Sequence, residues 1–266
     1  MYNEITIGYL SWKRHDILKQ TLKSHKENSL FDLIPKENRI IFFQEISEAD
    51  IKIANDYECK YFGNDKNIGI LNAFIELVTI CNTEYFIFCE NDWNLVEDKK
   101  TTELVLTDCL NILHDNKSDL IRLRHRKIPG DPMHSKPSDV DKWLKCDVSN
   151  FPYKLESLSW LSFPNKVYNN LFDEFNENFT WYTTGLKHQK WSNNIFIVKT
   201  EYLKNIILPL IQYFINDNEK YSGLEDILVN YNKYIGINND LDNIIFKYKN
   251  IRISGGEGLF THKDKI

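Results

Sequence analysis

Two carboxylates two residues apart, Glu90 and Asp92, stand at the end of an apolar and aromatic run that begins at Tyr85. The run is short and bounded, the pattern of a strand buried on both faces. If the chain is still extended beyond it, residues 90 and 92 point the same way. Oxygen ligands gathered on one side suit a hard divalent cation held against a diphosphate, and in an open α/β sheet ligands collect at the carboxyl ends of strands. The plainer alternative is that Glu90-Asn91-Asp92 is a polar turn that ends a strand. A second acidic pair lies in Ser222-Gly223-Leu224-Glu225-Asp226. With Ser222 as N-cap and Glu225 three residues on, a capping box accounts for Glu225 and partly for Asp226. The functional alternative is a general base on a rigid helix start, facing a hydroxyl. His262 follows the glycine-rich Gly255-Gly256-Glu257-Gly258. Those glycines would let the tail fold back over a site, and an imidazole beside a carboxylate is an acceptable manganese ligand pair.

Lys13, Arg14, Arg122, Arg124, His125 and Arg126 are the cations near expected strand ends. Arg14 is best placed to meet a phosphate, whereas Arg122–Arg126 reads as a solvated sheet edge. Trp12, Trp93, Trp160, Trp181 and Trp191 could stack on a base or sugar ring, with burial in the core as the default for each. Trp181-Tyr182, close to polar residues and Gly185, is the pair that fits the core least.

These residues need elements to hold them. Glu4–Leu10 alternates as a strand, and Asp16–Ser24 carries Ile17, Leu18 and Leu22 as a short amphipathic helix. Arg39–Gln44 is a second strand, 48–56 a helix, and Lys60–Phe62 a third short strand. Ile68–Cys81 is the clearest helix, with Ile70, Ala73, Phe74, Leu77, Val78 and Cys81 on one face. The Tyr85 strand follows, then a helix over Thr101–His114 and a strand over Asp119–Arg124. This alternation predicts a largely parallel sheet with helices on both faces. It stops near His125. Residues 125–150 hold three of the seven prolines and read as a long functional or disordered loop. Beyond it, Leu155–Phe163, Asn193–Thr200 and Asn250–Ser254 read as strands. Glu201–Ile215 reads as a helix interrupted at Pro209, and Leu224–Ile235 as another helix. No repeat or linker divides the 266 residues, so the expectation is one domain with an elaborated second half.

Composition narrows the class. With 42% hydrophobic and 27% charged residues the chain is globular, and a net charge of −5 gives no basic footprint for nucleic acid. An acidic protein that binds a diphosphate needs a metal or a few placed cations. Five cysteines, most in apolar runs and none in Cys-x-x-Cys, read as buried thiols of a reducing compartment. No signal sequence and no transmembrane stretch is visible, so a cytoplasmic location is expected. P-loop, nucleophile-elbow, zincin and early dinucleotide-binding glycine motifs are absent.

Taken together, the set resembles nucleotide-sugar-dependent glycosyltransferases of the GT-A fold, in the style of glycosyltransferase family 2. The first strand running into Ser11-Trp12-Lys13-Arg14 looks like the family's opening. Gln44-Glu45 through Ser47 and Asp50 is similar to its base- and ribose-gripping turn, and Asn67-x-Gly69-x-x-x-Ala73 to its Asn-x-Gly-x-x-x-Ala element. Glu90-Asn91-Asp92 stands where an Asp-x-Asp motif belongs. Ser222–Asp226 looks like the Gly-x-Glu-Asp element of inverting members, and His262 matches a C-terminal metal-binding histidine. Glu90 in place of Asp, Gln44 in place of an acid, and Phe74 and Ile75 in place of polar residues depart from the pattern.

The resemblance implies an α/β/α sandwich around a mostly parallel mixed sheet. It implies Mn²⁺ or Mg²⁺ held by Asp92 and His262, and a nucleotide-sugar donor, by the family's habit a UDP-sugar. Ser11, Arg14, Glu45, Asn67, Glu90, Asn91 and Asp92 would contact the donor. Asp226 would act as base toward a glycan or other hydroxyl acceptor, with Glu225 orienting it and with inversion. A nucleotidyltransferase is the runner-up, although the loop after the first strand lacks its usual glycines. A non-catalytic sugar- or nucleotide-binding relative is the alternative from another class.

Overall fold

The computed structural model describes residues 2–125, 172–183, 193–216, 252–254 and 258–263. The expected strand Leu155–Phe163, the helix Leu224–Ile235, the loop from residue 126 to 150, Trp160, Trp191, Cys146 and the whole Ser222–Asp226 element lie outside the described residues.

The first half alternates as expected: β1 (Ile5–Trp12), α1 (His15–Glu27), α2 (Leu30–Leu33), β2 (Arg39–Gln44), α3 (Glu48–Asp56), β3 (Lys60–Asn64), α4 (Gly69–Ile80), β4 (Tyr85–Glu90), β5 (Trp93–Leu95), α5 (Lys99–His114) and β6 (Leu120–Arg122). Then come β7 (Asp173–Asn176), β8 (Thr180–Thr183), β9 (Phe196–Lys199), α6 (Thr200–Tyr202), α7 (Leu208–Asn216), β10 (Arg252–Ser254) and β11 (Phe260–His262). Among the described residues nine strands form one sheet in the order β3-β2-β1-β4-β9-β6-β10-β8-β7, while β11 and β5 form a separate pair. β1 runs parallel to β2 and β4, and β10 parallel to β6; β9 is antiparallel to both of its neighbours. The expected three-layer architecture with a mostly parallel mixed sheet is what the chain adopts.

Period-two alternation sorts each central strand between two cores. Ile5, Ile7 and Tyr9 of β1 and Tyr85, Ile87 and Cys89 of β4 face α1, α2, α3 and α5. Leu10, Phe86 and Phe88 face α4 and α7. β4 is therefore buried on both faces, which accounts for the unbroken apolar run that marks it in the sequence.

Several expectations change. The buried face of α4 starts at Leu71, and Ile70 is only partly covered. Pro209 does not interrupt its helix; a π-helical turn over Leu203–Ile207 precedes it. Proline has no N–H to donate and crowds the carbonyl four residues back, and the widened turn takes up both effects. Arg122, Arg124 and His125 are not a solvated edge, because β6 lies inside the sheet. Arg122 donates to the Asn194 carbonyl (3.0 Å), Arg124 to the Asn194 amide (2.9 Å), and His125 Nε2 lies 2.9 Å from Glu97. Trp181 and Tyr182 are core residues, almost wholly buried.

The β7–β8 hairpin is fastened by one carboxylate. Asp108 of α5 is buried and accepts from Asn178 N (3.0 Å), Asn178 Nδ2 (2.7 Å), Phe179 N (3.0 Å) and Trp181 Nε1 (2.8 Å). Asp108→Ala strands four donors in the interior and should lower the unfolding free energy by about 3 kcal/mol or more. Urea denaturation measures this, and a loss under about 1 kcal/mol would contradict it.

Candidate functional site

At the carboxyl ends of β1, β2 and β4, a cleft of about 210 Å³ is lined by Leu10, Trp12, Arg14, Gln44, Ile70, Glu90, Asn91 and Asp92. Its walls follow from chain reversal. The β1–β4 register ends at Leu10↔Glu90. One residue further, Asn91 Nδ2 lies 3.5 Å from Ser11 Oγ, and Asn91-Asp92 turns out of the sheet into β5. The extended geometry expected through residue 92 therefore ends at Glu90, yet Glu90, Asn91 and Asp92 still line one cleft. A larger cavity of about 670 Å³ opens at the opposite, amino end of β4, among Glu84, Lys199 and Lys204. Strand order and strand-end chemistry favour the smaller one as the site.

Asp92 is the centre of the cleft. Its side chain is almost wholly buried, and Arg14 Nη1 donates to Oδ2 at 3.0 Å. Oδ1 has no hydrogen-bond partner, although His262 Nε2 sits 3.4 Å away. The chain thus brings Asp92 and His262 together across 170 residues of sequence. β11 is the means: His262 pairs with Trp93, Lys263 N donates to the Asp92 carbonyl (2.8 Å), and the His262 ring packs on Trp93 with centroids 4.7 Å apart. Arg124 covers the Trp93 ring, 5.4 Å from its centroid. Gly258 has φ +83°, and a Cβ there would collide with the Arg124 carbonyl, so the tail enters only through a glycine.

A buried carboxylate oxygen without a partner, facing an imidazole nitrogen, fits a divalent cation such as Mn²⁺. Among the described residues no cluster of three His, Cys, Asp or Glu side chains is arranged to hold a metal. A site with two protein ligands leaves coordination positions for phosphate oxygens and water.

The rim accounts for the other expected residues. Ser11 is buried beside Asn91. Lys13 and Arg14 are both left-handed at φ 52°, and so is Glu45 at 54°. Lys13 Nζ meets Glu45 at 2.5 Å and, together with the Trp12 indole, holds the Glu45 carboxyl below its usual range. Non-glycine residues held this way cost free energy and gather at ligand sites. Asn67 Oδ1 accepts from Gly69 N (2.8 Å), and Gln44 Oε1 from Ile68 N (3.0 Å), so both shape the start of α4. Ser47 and Asp50 form the capping box of α3, and His15 Nε2 lies 2.9 Å from Asp50. Trp12, core by default in the sequence reading, is 46% exposed on the cleft. Its place at the very end of a buried strand was the available signal. Ile70 was missed because it falls within an apolar helix period. Glu225 and Asp226 lie outside the described residues.

No family model matches this chain, and no curated protein does. Solved structures of the GT-A glycosyltransferase fold do match it, and the chain has that fold. Staphylococcus aureus TarS 1–349 aligns over 98% of this chain at TM-score 0.53 and 12% identity. Its complex with UDP-GlcNAc aligns over 99% at 0.54. The chain spans about 60% of the length of that TarS fragment. Glucosyl-3-phosphoglycerate synthase from Mycobacterium tuberculosis, in complex with Mn²⁺, UDP-glucose and phosphoglyceric acid, aligns at TM-score 0.50 and 9% identity, covering 99% of this chain and 73% of that one. No helix among the described residues is long and apolar enough to cross a membrane.

Below the cleft, His25 of α1 is wholly buried, and desolvation lowers its pKa to about 4. Unfolded, it returns to the usual 6.5. Between these values the unfolded chain binds more protons, so stability is full above pH 6.5 and falls as the pH drops toward 4. The two pKa values correspond to about 3 kcal/mol. Chemical denaturation across this window should show that loss in the wild type and a flatter profile in His25→Gln; equal slopes would contradict the assignment.

Proposed function

We propose that this protein is a metal-dependent glycosyltransferase that moves a sugar from a nucleoside-diphosphate sugar, with a UDP-sugar as the favoured donor, to a hydroxyl of a glycan or other acceptor. The observation that carries this reading is the buried Asp92 Oδ1, which has no hydrogen-bond partner among the described residues and faces His262 Nε2 at 3.4 Å, in a cleft at the strand ends of a GT-A fold. Asp92 and His262 would hold Mn²⁺ or Mg²⁺, which when bound neutralises charge on the departing nucleoside diphosphate. Arg14 adds a fixed cation beside the same carboxylate. Ser11, Glu45, Asn67, Glu90 and Asn91 would bind and orient the nucleotide, with Glu90 reaching the ribose or a water.

On the acceptor side the reading rests on the sequence Ser222–Asp226. Asp226 would take the proton of the attacking hydroxyl, Glu225 would orient the acceptor, and attack from the opposite face would invert the anomeric centre. The acceptor would be bound by the second half of a single domain.

A panel of UDP-, GDP- and dTDP-sugars, assayed for nucleotide release with Mn²⁺ and with EDTA, tests the donor half. One donor should be turned over, at least about tenfold more slowly in Asp92→Ala and with EDTA. Release unaffected by both changes would overturn the metal role, and absence of both release and donor binding would favour a non-catalytic protein. For the acceptor half, Asp226→Asn should abolish transfer and leave nucleotide affinity within about twofold. Unchanged transfer would remove Asp226 from the mechanism.

A further inference from the structure

Among the described residues the short strand β5 has only β11 beside it, yet both of its edges are hydrogen-bonded. The even-numbered residues that flank it serve β11: Lys263 N donates to the Asp92 carbonyl (2.8 Å) and Val96 N to the Leu259 carbonyl (3.0 Å). The backbone groups of Asn91, Trp93 and Leu95 turn the other way, where no described strand lies. There they meet side chains of α1 and of its C-cap residue, Asn28. Thr21 Oγ1 donates to the Asn91 carbonyl (2.9 Å), His25 Nε2 to the Trp93 carbonyl (2.9 Å) and Asn28 Nδ2 to the Leu95 carbonyl (2.8 Å), while Ser24 Oγ accepts from Leu95 N (3.0 Å). Positions 21, 24, 25 and 28 share one helix face, and they meet a strand whose facing groups recur every second residue.

We propose that this face of α1 replaces a missing third strand, and that Thr21 and His25 are positioning residues that set the Asp92–His262 pair. The inference rests on the metal and nucleotide reading of that pair.

His25 is specified with particular care. The Trp93 carbonyl can only accept, so Nε2 carries the proton and Nδ1 is left to accept from the Tyr9 hydroxyl, 2.6 Å away. The Trp93 carbonyl thereby fixes the tautomer, and the Tyr9 hydroxyl complements it. The same ring packs edge-on against Phe260 of β11, with centroids 5.3 Å apart. One buried side chain thus holds both strands, β5 by a hydrogen bond and β11 by packing. Thr21 acts one step earlier. It captures the chain at Asn91, where β4 leaves the main sheet, and so fixes the turn that delivers Asp92. Neither residue lines the cleft.

The test compares Thr21→Val, His25→Leu and His25→Gln in the full chain, with thermal unfolding to establish that each is folded. His262 lies against the Trp93 ring, so its ring-proton NMR signals carry a ring-current shift that reports the β5–β11 register; His262→Asn assigns them. In Thr21→Val and His25→Leu these signals should move toward free-histidine positions, and the affinity for UDP with Mn²⁺ should fall about tenfold. His25→Gln keeps an amide N–H where Nε2 stood and should restore both. If Thr21→Val does not fold, Asn28→Ala on its half-buried side chain supplies the comparison. Folded variants with His262 signals at wild-type positions would overturn the proposal. Shifted signals in a protein whose wild type binds no UDP with Mn²⁺ would leave the positioning intact and sink the nucleotide reading instead.

Discussion

A carboxylate removed from water must be paired or bound to a cation, and Asp92 is only half paired. Arg14 satisfies one oxygen, and the other lies buried beside an imidazole without a hydrogen bond. The carboxylate occupies the junction where the chain leaves the nine-stranded sheet and starts the β5–β11 pair, so both sheets bear on where it sits. An arrangement that leaves desolvation uncompensated is costly in a resting protein and is accounted for if a cation joins it. The closing glycine at 258, the Trp93–His262 packing and the α1 hydrogen bonds all hold this carboxylate in place.

Left-handed backbone is also found around this point. Lys13, Arg14 and Glu45 take left-handed backbone at the ends of β1 and β2, and Lys13 and Glu45 are tied to each other by an ion pair. Arg14 begins α1 without a side-chain cap, although serine, threonine or aspartate would cap a helix better. Its guanidinium is used on Asp92 instead. Local stability is given up at this helix start for a cation at the cleft, as is common where a site is preorganised.

Much of this was legible in the sequence, for reasons that differ between elements. β1, β2 and β4 carry apolar runs because each is buried on both faces, and α4 shows a clear period because one of its faces packs on the sheet; their bounds fell within a few residues of expectation. Strands of three or four residues, β5, β7, β8 and β11, were not foreseen. Their signal lies in remote partners: β5 exists because β11 and α1 complete it, and the β7–β8 hairpin is held by Asp108. Charged residues misled the reading at Arg122, Arg124 and His125, where position inside a wide sheet overrides polarity. Thr21 and His25 were invisible to an apolar count, since the helix face they occupy is polar and buried. The pairing of Asp92 with His262 was suggested by family resemblance, and their proximity is a property of the fold; their role as ligands remains part of the proposal.

The most direct measurement is a crystal structure of the protein grown with Mn²⁺ and UDP, with anomalous diffraction recorded to place the metal. The account predicts one manganese peak in the cleft, within coordination distance of Asp92 Oδ1 and His262 Nε2, and shared with the diphosphate. UDP bound in the cleft without metal at that pair, or manganese bound elsewhere, would contradict it.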